Sequence, residues 1–143
     1  MLIKDVMTRD VVTTSPDAPL PEVADILVKR RLRAIPVIDE DGHVLGMITD
    51  RQVMTHFLPA LEDPEAERPG RPQVLREGTV RDVMERTVMC VNETEGLGDV
   101  VRLMLDKEIE RLPVVSEGVL SGFLTRGDII RRLLGGGDES GRR

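Results

Sequence analysis

Apolar residues along the chain recur with two periods, and each period predicts a different element. Leu20, Val23, Ala24 and Leu27 fall at i, i+3, i+4 and i+7, the spacing that lines one face of a helix, and Leu97, Val100, Val101 and Met104 repeat the stripe. Asp17 is placed to cap the first of these helices, and Pro19 suits its opening turn. Ahead of each stripe lies a short β-branched run, Val11 to Thr14 stopped by Ser15-Pro16, and Val88 to Val91. Both runs read as short strands. After the first stripe, Ala34 to Ile38 predicts a strand, and Asp41-Gly42 supplies the turn that returns the chain as a hairpin into Val44 to Ile48. The second hairpin turns at Glu117-Gly118. A closing helix is expected from Asp50, with Val53, Met54 and Phe57 on its apolar side. Another is expected from Arg126, with Ile129, Ile130 and Leu133.

The two sets of elements are copies of one unit. Shifted by 77 positions, Ile3-Lys4-Asp5-Val6-Met7 falls on Val80-Arg81-Asp82-Val83-Met84, and Ile35-Pro36-Val37 falls on Leu112-Pro113-Val114. One deletion in the Asp39 to Gly42 turn changes the shift to 76, which sets Gly46-Met47-Ile48-Thr49 on Gly122-Phe123-Leu124-Thr125. The predicted fold class is mixed α/β (α+β), with two β-α-β-β-α repeats, one over residues 1–58 and one over 79–134. Residues 59–78, holding Pro59 and three further prolines among charged residues, predict an extended connector. Residues 135–143 open with three glycines and predict a frayed tail. A unit this small exposes one sheet face, so the copies are expected to pack face to face about a pseudo-two-fold axis, with clefts at the junction.

Composition narrows the chemistry. The 143 residues carry a formal net charge of −6, which opposes binding to a nucleic-acid backbone. Two Phe, no Tyr and no Trp leave nothing to build a base-stacking platform, so the core must be aliphatic. The one cysteine, Cys90, excludes an internal disulfide and fits the reducing cytoplasm. No apolar run approaches the roughly 20 residues that cross a bilayer, and the start of the chain does not resemble a signal peptide. The basic run Lys29-Arg30-Arg31-Leu32-Arg33 is either a solvated helix end, complementing the helix dipole, or a phosphate attractor.

The Asp-Val-Met near the start of each copy, the hydrophobic-Pro-Val strand, the Gly-hydrophobic-hydrophobic-Thr strand end and the element order together resemble the cystathionine β-synthase (CBS) domain. Such domains occur as tandem pairs called Bateman modules. The resemblance covers about residues 2–58 and 79–134. It implies a regulatory module that binds AMP, ADP, ATP, S-adenosylmethionine or an NAD-like ligand in the cleft between repeats, requires no cofactor, and forms a homodimer. Thr125-Arg126-Gly127-Asp128 matches the family's Thr-x-x-Asp signature. An acceptor-only carboxylate at Asp128 suits the two hydroxyls of a ribose, and Thr125 can donate to a phosphate oxygen. Similarity adds Arg111 and Arg126 near phosphate, with Arg33 one position off the corresponding place in the first copy. Thr49 is the first copy's counterpart of Thr125. Val88, Met89, Val91, Ile109 and Leu112 are the expected walls of the adenine slot.

Each assignment has a plainer reading: Thr125 and Asp128 as helix caps, the arginines as solvated surface, and the apolar residues as core. The first copy departs from the signature. Gln52 stands where the acid is expected and offers only one acceptor oxygen, so its site is expected to be weaker or empty. Asp50, two residues back, lies about 200° around the helix and does not replace it.

Three functional classes follow. The first is an adenosine-ligand sensor acting on a protein partner in trans, and the second is a ligand-free dimerisation or docking module. The third, an enzyme, finds no nucleophile with an activating base, since Cys90 has only His43 and His56 elsewhere in the chain. Two separated histidines show no zinc-type spacing, so no metal and no catalytic residue is expected.

Overall fold

The computed structural model describes residues 1–64 and 78–135. The chain is mixed α and β and divides into two compact units. One is Val12–Val88, and the other joins Met1–Val11 to the chain from Met89 onward. The spatial units therefore do not coincide with the sequence copies.

In the unit Val12–Val88 the elements are α1 (Leu20–Lys29), β1 (Ala34–Ile38), β2 (Val44–Thr49), α2 (Asp50–Leu61) and α3 (Val80–Val83). β1 and β2 form the expected antiparallel hairpin, with Gly42 at φ 90° in its turn. The apolar stripe of α1 goes inward: Leu20, Val23 and Leu27 pack with Ile35, Val37, Ile48 and Val80 in one core cluster. Asp17 does not cap α1. Its carboxylate pairs with Arg81 at 2.6 Å, while Pro19 takes the cap position and Pro21 lies in the first turn, where a missing N–H costs nothing. α1 ends in the basic run. Lys29 forms an exposed ion pair with Asp25 at 3.3 Å and Arg31 turns left-handed at φ 54°, which favours the helix-end reading of those charges.

The other unit contains a single 3-10 turn (Ile3–Asp5), β3 (Val91–Asn92), α4 (Leu97–Lys107), β4 (Arg111–Ser116), β5 (Val119–Thr125) and α5 (Arg126–Leu133). Its sheet has the order β3-β4-β5, with β3 parallel to β4 and β5 antiparallel to it. Its core joins Ile3 and Met7 from the start of the chain to Val91, Leu97, Val100, Met104, Leu112, Val114 and Leu124.

The leading strands are shorter than the β-branched runs predict. Val11 to Thr14 yields only a bridge from Thr14 to Val37, and Val88 to Val91 yields only the two residues of β3. Proline is the reason. The carbonyl of Thr14 accepts from the N–H of Ile38 at 2.9 Å, so two residues back Val12 would need the N–H of residue 36. That residue is Pro36, and its repeat counterpart is Pro113, so both ladders stop for want of a donor.

Each copy's Asp-Val-Met segment forms a helical turn against the far strand of a hairpin. The carboxylate of Asp82 accepts the N–H of Thr79 at 2.9 Å, and that of Asp5 accepts the N–H of Leu2 at 3.0 Å. Ile3 and Val80 are fully buried. The next residues, Thr8 and Glu85, each exchange two backbone hydrogen bonds with a strand: Thr8 with Phe123 of β5, and Glu85 with Met47 of β2. Gly122 and Gly46 allow that approach. A Cβ at Gly122 would collide with the Met7 side chain and the Thr8 carbonyl, and one at Gly46 with the Glu85 carbonyl.

α2 runs to Leu61, three residues into the expected connector, with Pro59 inside it. Most of that connector, residues 65–77, and nearly all of the expected tail, 136–143, lie outside the described residues.

Candidate functional site

The Thr-x-x-Asp signature sits where β5 turns into α5. Thr125 lies opposite Arg111 in the ladder, and the N–H of Arg126 donates to the carbonyl of Glu110 at 3.2 Å, which closes the strand. Extended at φ −122° and ψ 165°, Thr125 then caps the helix: its hydroxyl accepts the N–H of Asp128 at 3.2 Å, and the Asp128 carboxylate accepts the N–H of Thr125 at 3.0 Å through Oδ2. This reciprocal box satisfies two otherwise orphaned donors.

The other carboxylate oxygen, Oδ1, is held by side chains. The Thr8 hydroxyl donates to it at 3.0 Å, and the Arg131 guanidinium donates at 2.6 Å. The Asp128 side chain is 6% exposed, against 65% for that of Arg131. The acid is thus both a cap and the centre of a small polar cluster. Sequence reasoning found its cap and missed Thr8 and Arg131. Thr8 was detectable as the residue directly after the Asp-Val-Met motif.

The corresponding junction of the first copy keeps the cap with different chemistry. Gln52 Oε1 accepts the N–H of Thr49 at 3.1 Å, and the Thr49 hydroxyl accepts the N–H of Gln52 at 3.1 Å. Where Thr8 stands in the other unit, this one has Glu85, and Thr55 is the repeat counterpart of Arg131.

The remaining expected residues divide between the units. Arg111, Arg126, Met89, Val91, Ile109 and Leu112 share a unit with Thr125 and Asp128, whereas Arg33, Thr49 and Val88 belong to Val12–Val88. Arg126 is exposed; Arg111 is half-buried and pairs with Glu110 at 3.2 Å. Arg33 contributes its carbonyl, which accepts the N–H of Asp50 at 3.1 Å. Val91 and Leu112 are core residues with Ile109 packed against them, and Met89 is 40% exposed. Cys90 is half-buried, and burial pushes its thiol above its ordinary value, which keeps it protonated and unreactive.

Two other features lie at the turn end of the β1–β2 hairpin. A groove of about 680 Å³ is lined by Thr13 to Asp17, Ile38 to Asp41 and Leu45. Within the turn itself, ligand-type atoms of Asp39, Asp41 and His43 lie within 4.8 Å of one another, a grouping that the search for zinc-type spacing passed over. The turn accounts for it. Asp39 Oδ1 accepts the N–H groups of Asp41 and His43, both at 2.9 Å, and the His43 hydrogen bond leads the causes that lower the Asp39 carboxyl below its ordinary value.

The sequence profile of the CBS domain matches residues 3–59 and 80–135. This chain belongs to the CBS domain family. Protein MJ1426 of Methanocaldococcus jannaschii is 30% identical to this CBS pair, over 94% of this chain and 92% of the relative. Among solved structures, CBSX2 in complex with AMP is 27% identical with a TM-score of 0.76, covering 94% of this chain and 96% of that one. The CBS domain pair of protein MJ0100, in complex with 5′-methylthioadenosine and S-adenosyl-L-methionine, is 27% identical with a TM-score of 0.72, over 96% and 98%. Among the described residues no helix is long and apolar enough to cross a membrane.

Proposed function

We propose that this CBS pair is a cytoplasmic regulatory module, without catalytic activity of its own, that binds an adenosine-containing small molecule at its strand-to-helix junctions. AMP, ADP, ATP, S-adenosylmethionine and NAD-like ligands share the ribose such a site would grip. The observation that carries the reading is the double life of Asp128. Its Oδ2 is committed to the helix cap, but its Oδ1 is held only by side chains, and one of them, Arg131, is largely solvent-exposed. Ribose hydroxyls can take the place of those donors without breaking the cap. Arg126 and Arg111 flank the junction where the ligand's phosphate or charged tail would lie. Relatives that bind AMP, methylthioadenosine and S-adenosylmethionine on this fold support the ligand class.

Ligand binding regulates a partner in trans only if the ligand prefers one of two states of the module, because equal affinity shifts no equilibrium. Calorimetric titration with AMP, ATP, S-adenosylmethionine and NAD tests the reading. Saturable heat with at least one, weakened about tenfold or more in Asp128→Asn through loss of a charge-assisted hydrogen bond, is the expected result. No heat and no thermal shift with any of the four at millimolar concentration contradicts it.

A second reading is a ligand-free dimerisation module, and exposed apolar helix faces favour it. Met54, Leu58 and Leu61 of α2 are 63%, 50% and 60% exposed. In the other unit Ile130, Leu133 and Leu134, on or directly after α5, are 56%, 75% and 81% exposed. Homodimerisation is part of both readings; the titration separates them.

A further inference from the structure

Asp128 has fewer free acceptor positions than a ribose diol needs. A carboxylate offers about four lone-pair positions, two on each oxygen. Three are taken: Oδ2 accepts the N–H of Thr125 at 3.0 Å, and Oδ1 accepts the Thr8 hydroxyl at 3.0 Å and the Arg131 guanidinium at 2.6 Å. One position is left, on Oδ2. Two hydroxyls donating to this acid need two, so one of the present donors has to leave.

The three donors are not equally held. The N–H of Thr125 is half of the cap that opens α5, and without the acid it is an orphaned backbone donor at the strand-to-helix turn. The Thr8 hydroxyl sits on a short β-branched side chain, stiff about χ1, whose backbone is pinned to β5 by two 2.8 Å hydrogen bonds with Phe123. Arg131 has neither restraint. Its side chain is 65% exposed on a long stem, so the guanidinium passes into water with little change of solvation. It also folds back over the first turn of α5, where a Cβ at Gly127 would touch its Nη1 at 3.5 Å. A cation there opposes the helix dipole. Among the described residues the bond to Asp128 is the only hydrogen bond or ion pair of that guanidinium, so the acid alone keeps it in place.

We propose that Arg131 is an internal competitor for the ligand at Asp128. Its guanidinium closes the acid in the free protein and leaves for solvent when a ribose binds, and it thereby sets the concentration at which the site fills. The proposal rests on the adenosine-ligand reading and adds the regulation of that site. Binding breaks an ion pair, so a chain without the guanidinium binds more tightly. A neutral ribonucleoside shows the competition most cleanly, because a phosphate would also feel the charge of Arg131 in the bound state.

The test is equilibrium titration of the full chain, Arg131→Gln and Arg132→Gln with adenosine and with AMP, at about 0.05 M and about 0.5 M salt, a range over which exposed charges become screened. Arg132 is the control, since it carries the same charge one residue on and reaches only the carbonyl of Asp5, at 3.4 Å. Circular dichroism checks that each variant keeps the fold. Arg131→Lys keeps a charge without the planar fork and is expected to fall between Arg131→Gln and the unmodified chain. Adenosine bound about five- to thirtyfold more tightly by Arg131→Gln supports the proposal, with affinity rising with salt in the unmodified chain and Arg132→Gln but not in Arg131→Gln. Adenosine bound equally or more weakly by Arg131→Gln overturns it, as does AMP bound with no adenosine bound by any variant; both results leave the adenosine-ligand reading standing. Neither adenosine nor AMP bound by any of these chains overturns both.

Discussion

Asp128 shows how one side chain can serve the fold and the ligand through different atoms. Its cap and its link to Thr8 are structural, so Asp128→Ala is expected to destabilise the chain by about 1–3 kcal/mol, read from urea unfolding. Arg131→Gln should cost about 1–2 kcal/mol, because it removes a charge-assisted hydrogen bond from a carboxylate that is itself buried, although the guanidinium is largely exposed. A different residue-scale feature lies at the two helix ends. Arg31 and Glu108 occupy equivalent positions after α1 and α4, and both adopt left-handed backbone, at φ 54° and 56°. Glycine carries no Cβ penalty there. Glu108→Gly is expected to raise stability by up to about 1 kcal/mol, and a lowered melting temperature would contradict the assignment of strain.

At the scale of elements, the Asp-Val-Met segments are core, although they are short and lie far in sequence from the strands they cover. Ile3→Ala should therefore cost about 2–5 kcal/mol, as for any buried aliphatic residue; a loss under about 0.5 kcal/mol would show that the start of the chain is dispensable. Gly122→Ala is expected to cost about 1–3 kcal/mol through collision with Met7 and Thr8, without loss of secondary structure by circular dichroism. Much of this level was legible in the sequence. Helical stripes, hairpin turns and strand-to-helix junctions follow from spacing within a few residues, so Leu20 to Leu27 and Asp41-Gly42 behave as read, and Thr125 and Asp128 form the helix cap that their spacing allows. What failed depended on partners remote in sequence. The length of β3 is set by a proline on β4, and Asp17 is drawn from its cap position by Arg81. The contact of Thr8 with Asp128 depends on the same kind of remote pairing, since Thr8 lies 120 residues away and is brought in by its bridge to Phe123, whereas Arg131 stands one helical turn beyond Asp128.

At the scale of the whole molecule, duplication followed by divergence accounts for the chain. Both copies keep the cap, the glycine crossing and the apolar segment, because each unit needs them to close its core. The polar residues at the corresponding positions differ, Thr8, Asp128 and Arg131 against Glu85, Gln52 and Thr55, while the cap itself forms in both units. The exposed faces of α2 and α5 belong to this scale too. Leu58→Lys with Leu133→Lys is expected to convert a dimer to a monomer in sedimentation while leaving the circular dichroism unchanged. A monomeric unmodified chain would refute the proposed homodimer. The central claim, that the chain holds an adenosine ligand, is tested most directly by native mass spectrometry of the unmodified protein with AMP. The account predicts chain masses raised by one and then two AMP, with the dinucleotide NAD competing for the same places. Spectra showing only the bare chain at millimolar AMP would contradict it.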